Sequence, residues 1–262
     1  MKIEFYKYHG TGNDFIVIDN RILQWKPGLQ QVAFLCDRHL GIGSDGLMLL
    51  SDIEGFDFGM TYFNSDGNES TMCGNGGRCL TAFSRLLGMI GTSARFHAID
   101  GEHEAIILNE SNNLTLVKLK MKDAVVEEPT GGYFFIDTGS PHTIIFSVNV
   151  NRIDIVKKAR KIRYDTCFAE EGTNVDFVEI KNDHLFVRSY ERGVEDETLS
   201  CGTGITASAL AAAVKTPGNP GYFTIKTLGG ELKVSFKQQG YVFTEIWLEG
   251  LAEFVFRGMI EI

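Results

Sequence analysis

The chain has 262 residues, a formal net charge of -9 and a hydrophobic fraction of 44%. This composition is typical of a packed globular protein with one large or two small domains, and it excludes a disordered or fibrous chain. The acidic balance argues against nucleic acid or an anionic membrane as a partner.

The first nine residues alternate charged and apolar side chains, so we expect an opening strand there and no signal peptide. The longest uncharged apolar stretch, 205–214, falls well short of the ~20 residues that a membrane-spanning helix requires. We therefore expect a buried helix there, no membrane partner and a cytoplasmic protein. The basic run 157–163 is interpreted as the solvated face of another helix.

Strand-like periodicity dominates both halves of the chain, with helical segments among the strands. In the first half the pattern predicts helices at 29–40 and 76–87, and strands at 15–19, 47–50, 61–64, 105–108 and 114–120. In the second half it predicts helices at 153–161 and 204–214, and strands at 133–137, 143–147, 175–180, 185–190, 223–227, 232–236 and 242–248. The mixture indicates an α+β fold.

The two halves repeat one motif at matched spacing. Cys73-Gly74-Asn75-Gly76 recurs as Cys201-Gly202-Thr203-Gly204, and a tyrosine, Tyr62 or Tyr190, stands 11 residues before each cysteine. Such spacing is a stricter sign of duplication than similar composition.

A charged segment between the halves, 120–132, contains a proline and a Gly-Gly pair, which is typical of a linker. We therefore predict two domains. One comprises residues 1–124 with 251–262, and the other residues 125–250.

Five cysteines in a chain with no export signal indicate reduced thiols rather than disulfides. Cys36 and Cys79 have apolar neighbours at helical spacing, and Cys167 follows no recognisable motif, so these three are interpreted as structural. Cys73 and Cys201 differ, because each precedes a glycine-rich turn and an apolar helix.

Both glycine-rich turns are expected at helix N-termini, where free N–H groups and a partial positive charge favour thiolates and bound carboxylates. The glycines allow a substrate to approach the backbone closely. Removing a proton from a carbon beside a carboxylate builds up charge that such N–H dipoles stabilise. Inverting that carbon requires a base on one face and an acid on the other, so the paired cysteines indicate a racemase or epimerase.

Other kinds of site are weakly supported by the residues. Neither half contains the closely spaced Cys or His pairs of a structural zinc site. The glycines of 41–43 and 74–76 lack a Walker lysine, which disfavours a nucleotide loop. A thiol redox protein, or a ligand-binding module without catalysis, stays open as an alternative from the residues alone.

Six motifs in order along the chain resemble those of diaminopimelate epimerases, which belong to the pyridoxal-independent epimerase superfamily. They are Gly10-Thr11-Gly12-Asn13-Asp14-Phe15, Phe63-Asn64-Ser65-Asp66-Gly67, Cys73-Gly74-Asn75-Gly76, Gly172-Thr173-Asn174, Glu191-Arg192-Gly193 and Cys201-Gly202-Thr203-Gly204. The resemblance covers nearly the whole chain. It implies two pseudo-symmetric domains, each a curled β-sheet or barrel around a central helix, with the active site in the cleft between them.

The same resemblance implies interconversion of LL- and meso-diaminopimelate, a diamino-dicarboxylate, by a homodimer that needs no cofactor or metal. The product is a precursor of lysine and peptidoglycan. Cys73 and Cys201 would exchange the roles of acid and base. Another two-cysteine racemase or isomerase of the same superfamily is the alternative.

The resemblance also implies roles for other side chains. The reacting carboxylate would be held by Gly74, Asn75, Gly202 and Thr203. The distant amino-acid end would be held by Asn13, Asn64, Asn174, Glu191 and Arg192. His142 would tune the thiol pKa values together with Glu191. The chain departs from the family pattern at Ser140, where asparagine is usual, and at Gly46, where some members carry glutamine.

Overall fold

The computed structural model describes residues 1–129, 131–165, 168 and 172–262. The interpretation of Cys167 as structural therefore concerns a residue outside the described part. In chain order the elements are β1 (Lys2–Gly10), β2 (Asn13–Asp19), α1 (Leu29–Cys36), β3 (Gly46–Ser51), β4 (Phe58–Asn64), β5 (Glu69–Ser70), α2 (Gly74–Leu86), β6 (Ser93–Ala98), β7 (Gly101–Ser111), β8 (Leu114–Lys120), β9 (Ala124–Val125), β10 (Phe134–Asp137), β11 (Pro141–Phe146), a 3-10 helix (Val150–Arg152), α3 (Ile155–Arg163), β12 (Asn174–Ile180), β13 (Leu185–Glu191), β14 (Asp196–Thr198), α4 (Gly202–Lys215), β15 (Tyr222–Lys226), β16 (Glu231–Gln239) and β17 (Val242–Glu261).

These elements form two compact units, which comprise Met1–Leu119 with Gly250–Ile262, and Lys120–Glu249. In the first unit the strands pair in a closed ring, β17–β1–β2–β3–β4–β6–β7–β8–β17. Helix α2 packs against β1, β2, β3, β4 and β7. Its residues from Gly74 to Ser84 are all buried, because the sheet surrounds it. The predicted α+β fold, with strands curled around a central helix, is confirmed here.

The second unit repeats this arrangement. Its strands pair in the order β10–β11–β12–β13–β15–β16, with β11–β12 and β13–β15 parallel and the other pairs antiparallel. The first unit shows the same succession in β1–β2–β3–β4–β6–β7, where β2–β3 and β4–β6 are the parallel pairs. Helix α4 is the buried counterpart of α2 and packs against β10, β11, β12 and β13. The duplication predicted from the cysteine motifs therefore extends to the topology.

Helix α1 is shorter than the sequence predicts. The pattern extends it to residue 40, but it ends at Cys36, and Leu40 is 75% exposed. The carboxylate of Asp37 accepts the N–H groups of His39 and Leu40, both at 2.7 Å. This side chain competes with the helical hydrogen bonds and releases the backbone from the helix.

Helices α3 and α4 agree with the patterns that predicted them. Helix α3 buries Ile155 and Ala159 and exposes most of its basic residues, as expected for a solvated face. Helix α4 is buried along almost its whole length. Over the described ranges, no helix combines the length and the apolar character needed to cross a bilayer.

Candidate active site

Cys73 and Cys201 are the N-cap residues of α2 and α4, as the motifs predicted. Both have extended backbones, with φ -92° and ψ 128° at Cys73, and φ -112° and ψ 113° at Cys201. The Cys73 carbonyl accepts the Gly77 N–H at 2.7 Å, and the Cys201 carbonyl accepts the Ile205 N–H at 2.9 Å. The preceding amides of each first helical turn have no intrahelical acceptor, so each turn can bind an anion.

The last glycine of the second turn is required by its surroundings. A Cβ on Gly204 would lie 2.5 Å from Oδ1 of Asp176 and 2.8 Å from Cε1 of His142. The equivalent Cβ on Gly76 would lie 2.9 Å from the sulfur of Met48, which is a flexible side chain. The second turn therefore packs directly on an imidazole and a carboxylate, whereas the first turn does not.

Around the first turn, an asparagine lies beside the Cys73 sulfur. Oδ1 of Asn13 is 3.6 Å from Sγ of Cys73, and it accepts a hydrogen bond from Nδ2 of Asn75 at 3.4 Å. Nδ2 of Asn13 donates to Oδ2 of Asp45 at 2.8 Å, which fixes the amide with its oxygen toward the turn. The structure thus brings together three of the candidate residues.

Asn64 lies at the exposed end of β4, where its register partner on β3 is Gly46. A Cβ on Gly46 would lie 2.6 Å from Cε2 of Tyr62 and 2.6 Å from the Phe63 carbonyl. The tyrosine ring fills the space that a longer side chain at this position would need, which accounts for the departure from glutamine.

Around the second turn, hydrogen bonds connect the sulfur to a buried histidine and aspartate. Sγ of Cys201 is 3.3 Å from Oγ1 of Thr203 and 4.0 Å from Nε2 of His142. The Thr203 hydroxyl is also 2.9 Å from Nε2. On the other side of the ring, Nδ1 lies 2.6 Å from Oδ2 of Asp176, whose other oxygen accepts the Ser189 hydroxyl. This chain of contacts gives the thiol proton a path to the imidazole.

The electrostatics around Cys201 favour the neutral thiol. Burial raises its pKa well above the ordinary value, and the negative charges of Glu191 and Asp176 raise it further. Hydrogen bonds from Thr203 and from the Gly204 N–H act in the opposite direction. The sulfur therefore needs a nearby proton acceptor to react as a thiolate, and His142 is placed to provide one.

Among the other candidates of the second unit, Asn174 contacts His142 directly and connects it to Arg192. Nδ2 of Asn174 donates to Oγ of Ser140 at 3.3 Å, while its Oδ1 accepts the Arg192 N–H at 2.8 Å. Ser140, which replaces the usual asparagine, lies 3.0 Å from Nε2 of His142. Glu191 accepts a hydrogen bond from Thr198.

Two buried charged residues of these sites were not predicted. Asp176 lies inside β12 and Arg78 inside α2, and both are fully buried. An ionisable side chain within an otherwise apolar run must find a partner when it is buried, and this was the available signal. In the ranges that the structure describes, no three His, Cys, Asp or Glu side chains are grouped so as to hold a metal ion.

Comparisons with known proteins identify the family. The diaminopimelate epimerase family model matches residues 5–126 and 134–254. Diaminopimelate epimerase of Flavobacterium psychrophilum is 48% identical over 260 residues, covering 98% of this chain and 100% of that protein. The enzyme of the same name from Chlorobaculum tepidum is 42% identical over 257 residues, covering 96% of this chain and 98% of that protein.

Solved structures agree in fold at low identity. A phenazine biosynthesis protein of the PhzF family from Bacillus anthracis superposes with a TM-score of 0.75 at 14% identity, covering 100% of both chains. A hydroxyproline epimerase from Agrobacterium vitis, solved with bound trans-4-hydroxy-L-proline, gives 0.73 at 14% identity, covering 99% of this chain and 92% of that one. These similarities show a shared two-domain α+β architecture. By sequence over its full length, this chain belongs to the diaminopimelate epimerase family.

Proposed function

We propose that the protein is an isomerase that interconverts LL- and meso-diaminopimelate, with Cys73 and Cys201 as its two acid–base groups and no cofactor. The observation that carries the proposal is the duplicated N-cap cysteine, present in both units of a chain that is 48% identical to a diaminopimelate epimerase. A single cysteine would exchange the substrate proton without inverting the carbon. Two cysteines provide an acid and a base.

The proposed reaction begins with one sulfur as thiolate and the other as thiol. The thiolate removes the proton from the α-carbon and becomes a thiol, which leaves a carbanion conjugated with the carboxylate. The other thiol then donates its proton to the opposite face and becomes a thiolate. The reverse reaction exchanges the two roles. The pair of sulfurs carries one proton before and after the reaction, and two protons while the carbanion exists.

Stabilisation of the carbanion is assigned to the free amides of the two helix N-termini. These dipoles are fixed before the reaction starts, so they require no reorganisation as charge develops on the carboxylate oxygens. Gly74, Asn75, Gly202 and Thr203 would hold that carboxylate. On the Cys201 side, the buried pair of His142 and Asp176 takes up the thiol proton when Cys201 acts as the base.

The distant amino-acid end is assigned to polar side chains that suit its charges. An arginine, Arg192, can pair with the second carboxylate, while Glu191 and the amide oxygens can accept an ammonium. Asn13, Asn64 and Asn174 are the amides concerned. We further propose a cytoplasmic homodimer whose product serves lysine and peptidoglycan synthesis.

Isotope incorporation tests the proposal. The enzyme is incubated with LL-diaminopimelate in deuterated water, without pyridoxal phosphate or added metal, and the products are separated by chiral chromatography and analysed by proton NMR. We expect meso product labelled at one α-carbon. Absence of both label and inversion, or faster inversion of proline or hydroxyproline under the same conditions, would overturn the assignment.

A further inference from the structure

Arg78 is a buried cation close to the first cysteine turn. It lies on α2, five residues after Cys73, and its side chain is fully buried. Among the described residues, no carboxylate pairs with it and its Nε has no hydrogen-bond partner. Burying a guanidinium without an opposite charge destabilises a protein. Such a residue therefore calls for an explanation beyond packing.

The guanidinium fixes the orientation of the Asn75 amide. Nη2 of Arg78 donates to Oδ1 of Asn75 at 2.8 Å, and the Thr11 hydroxyl donates to the same oxygen at 3.1 Å. Nδ2 of Asn75 consequently faces Oδ1 of Asn13, the oxygen that lies 3.6 Å from Sγ of Cys73. Of the two orientations an amide can take, Arg78 selects the one with its N–H groups on the cysteine side.

The neighbouring backbone is adapted to this arrangement. Thr11 has φ 51°, a left-handed conformation that β-branched residues rarely adopt, and its hydroxyl accepts Nη2 of Arg78 at 3.2 Å. A Cβ on Gly10 would lie 3.2 Å from that same Nη2 and 3.0 Å from the Asn75 carbonyl. Both features keep the guanidinium in place against the turn.

The second cysteine turn shows that a charge is not needed to close such a turn. There, Thr206 is five residues after Cys201, and its hydroxyl donates to the Gly202 carbonyl at 2.9 Å. In the first turn, Nη1 of Arg78 donates to the equivalent carbonyl of Gly74 at 3.1 Å. A neutral threonine thus makes the same hydrogen bond to the first glycine carbonyl of its turn. The positive charge of the arginine is therefore not needed for that hydrogen bond.

We propose that Arg78 is a positioning residue for the reaction, which orients the Asn75 amide and holds a permanent positive charge beside the turn that favours the Cys73 thiolate. Its link to catalysis rests on the proposed function. A guanidinium suits this role because it stays protonated in proteins.

The other ionisable groups described near the first turn include a buried thiol and two carboxylates, so the positive charge is assigned to Arg78. Burial lowers the pKa of Arg78, and a negative charge on the Cys73 sulfur raises it. Burial also raises the pKa of Cys79, which therefore stays a neutral thiol. Two carboxylates lie near the turn. Asp45 accepts a hydrogen bond from the Asn13 amide. Asp100 accepts the N–H of the residue before Cys73 and also pairs with a histidine.

Alkylation without substrate tests the proposal. The rate constant for iodoacetamide at Cys73, located by tandem mass spectrometry, is measured between about pH 6 and pH 10 in wild type, Arg78→Met and Arg78→Lys. Thr206→Val is the matched control in the other turn. We expect Arg78→Met to raise the apparent pKa of the Cys73 thiol by about one unit or more. Arg78→Lys should raise it less, because a buried ammonium holds its proton less firmly than a guanidinium, and Thr206→Val should leave it nearly unchanged.

Turnover separates charge from orientation. Lysine retains a protonatable group but lacks the fork that holds both the carbonyl and the amide oxygen, so kcat of Arg78→Lys should fall about tenfold. A folded Arg78→Met protein with the wild-type alkylation profile overturns the proposal. If circular dichroism shows that Arg78→Met does not fold, wild-type kcat in Arg78→Lys overturns it, and a reduced kcat supports it. A shifted profile in a protein without epimerase activity would contradict the proposed function alone.

Discussion

His142 and Asp176 are joined by a 2.6 Å contact between Nδ1 and Oδ2, and both side chains are fully buried. With the Nδ1 proton facing the carboxylate, Nε2 faces Sγ of Cys201 at 4.0 Å. A carboxylate in this position stabilises the imidazolium that forms when the ring accepts a proton. Asp176 therefore acts in two ways: its charge raises the pKa of the Cys201 thiol, and it stabilises the imidazolium that would form if His142 accepted the thiol proton.

The first prediction removes the charge of that carboxylate. In Asp176→Asn the imidazolium loses its charged hydrogen bond, so we expect kcat to fall about 10- to 100-fold with little change in KM. Steady-state kinetics measure both constants. Asp183→Asn is the matched control, because Asp183 contacts the neighbouring His184 at 2.7 Å but is 80% exposed. Equal kcat in Asp176→Asn and wild type would show that Cys201 does not use the histidine.

The two turn glycines provide a matched pair for a second prediction. Gly204→Ala places a methyl group against the His142 and Asp176 side chains, so we expect a loss of about 1 to 3 kcal/mol in the free energy of unfolding, together with reduced kcat. Gly76→Ala places its methyl group 2.9 Å from the sulfur of Met48 and 3.4 Å from Cε of Met60, which are flexible side-chain ends, so both losses should be smaller. Urea denaturation, monitored by circular dichroism, measures the free energy of unfolding of the two variants. An equal loss of unfolding free energy in the two variants would show that the close packing of Gly204 against His142 and Asp176 does not affect stability.

A third prediction concerns the titration of Cys201. Burial is the largest cause of its raised pKa, and Glu191 is the next. Glu191→Gln removes a negative charge that disfavours the thiolate, so the pKa of the Cys201 thiol should fall. Alkylation of Cys201 without substrate should then become faster at neutral pH. Glu231→Gln, an exposed change of the same charge in the same unit, should leave that rate unaltered. An unchanged alkylation rate in Glu191→Gln would show that the glutamate does not affect the pKa of the Cys201 thiol.

The short-range features of the site were predictable from the sequence. A cysteine followed by glycines and an apolar run specifies an N-cap by local chemistry alone, and both Cys73 and Cys201 are N-cap residues. The repeated motif also pointed to the repeated order of strands, because each copy requires the same scaffold. Three helices and most of the longer strands were placed within a few residues, but β17 (Val242–Glu261) was predicted to end at residue 248, and β6 (Ser93–Ala98) was missed.

Features that depend on distant parts of the chain were missed. The partners of Asp176 come from β11 and β13, and the contacts of Arg78 include Thr11 from the β1–β2 turn. The spacing of apolar residues along the sequence does not reveal contacts between side chains that are far apart in the chain. Short strands such as β5 (Glu69–Ser70) contain too few residues to show alternation. Helix α1 was overextended because the capping action of Asp37 was not recognised.

The central claim is that Cys73 and Cys201 are both required to invert the α-carbon. The most direct measurement is proton NMR of LL- and meso-diaminopimelate in deuterated water with Cys73→Ala, Cys201→Ala and, as the control, Cys36→Ala, whose buried sulfur accepts the Ser44 hydroxyl in the first unit's core. The account predicts that neither of the first two variants inverts either isomer, while Cys36→Ala turns over as wild type does. Inversion at a near-wild-type rate by Cys73→Ala or by Cys201→Ala would contradict it.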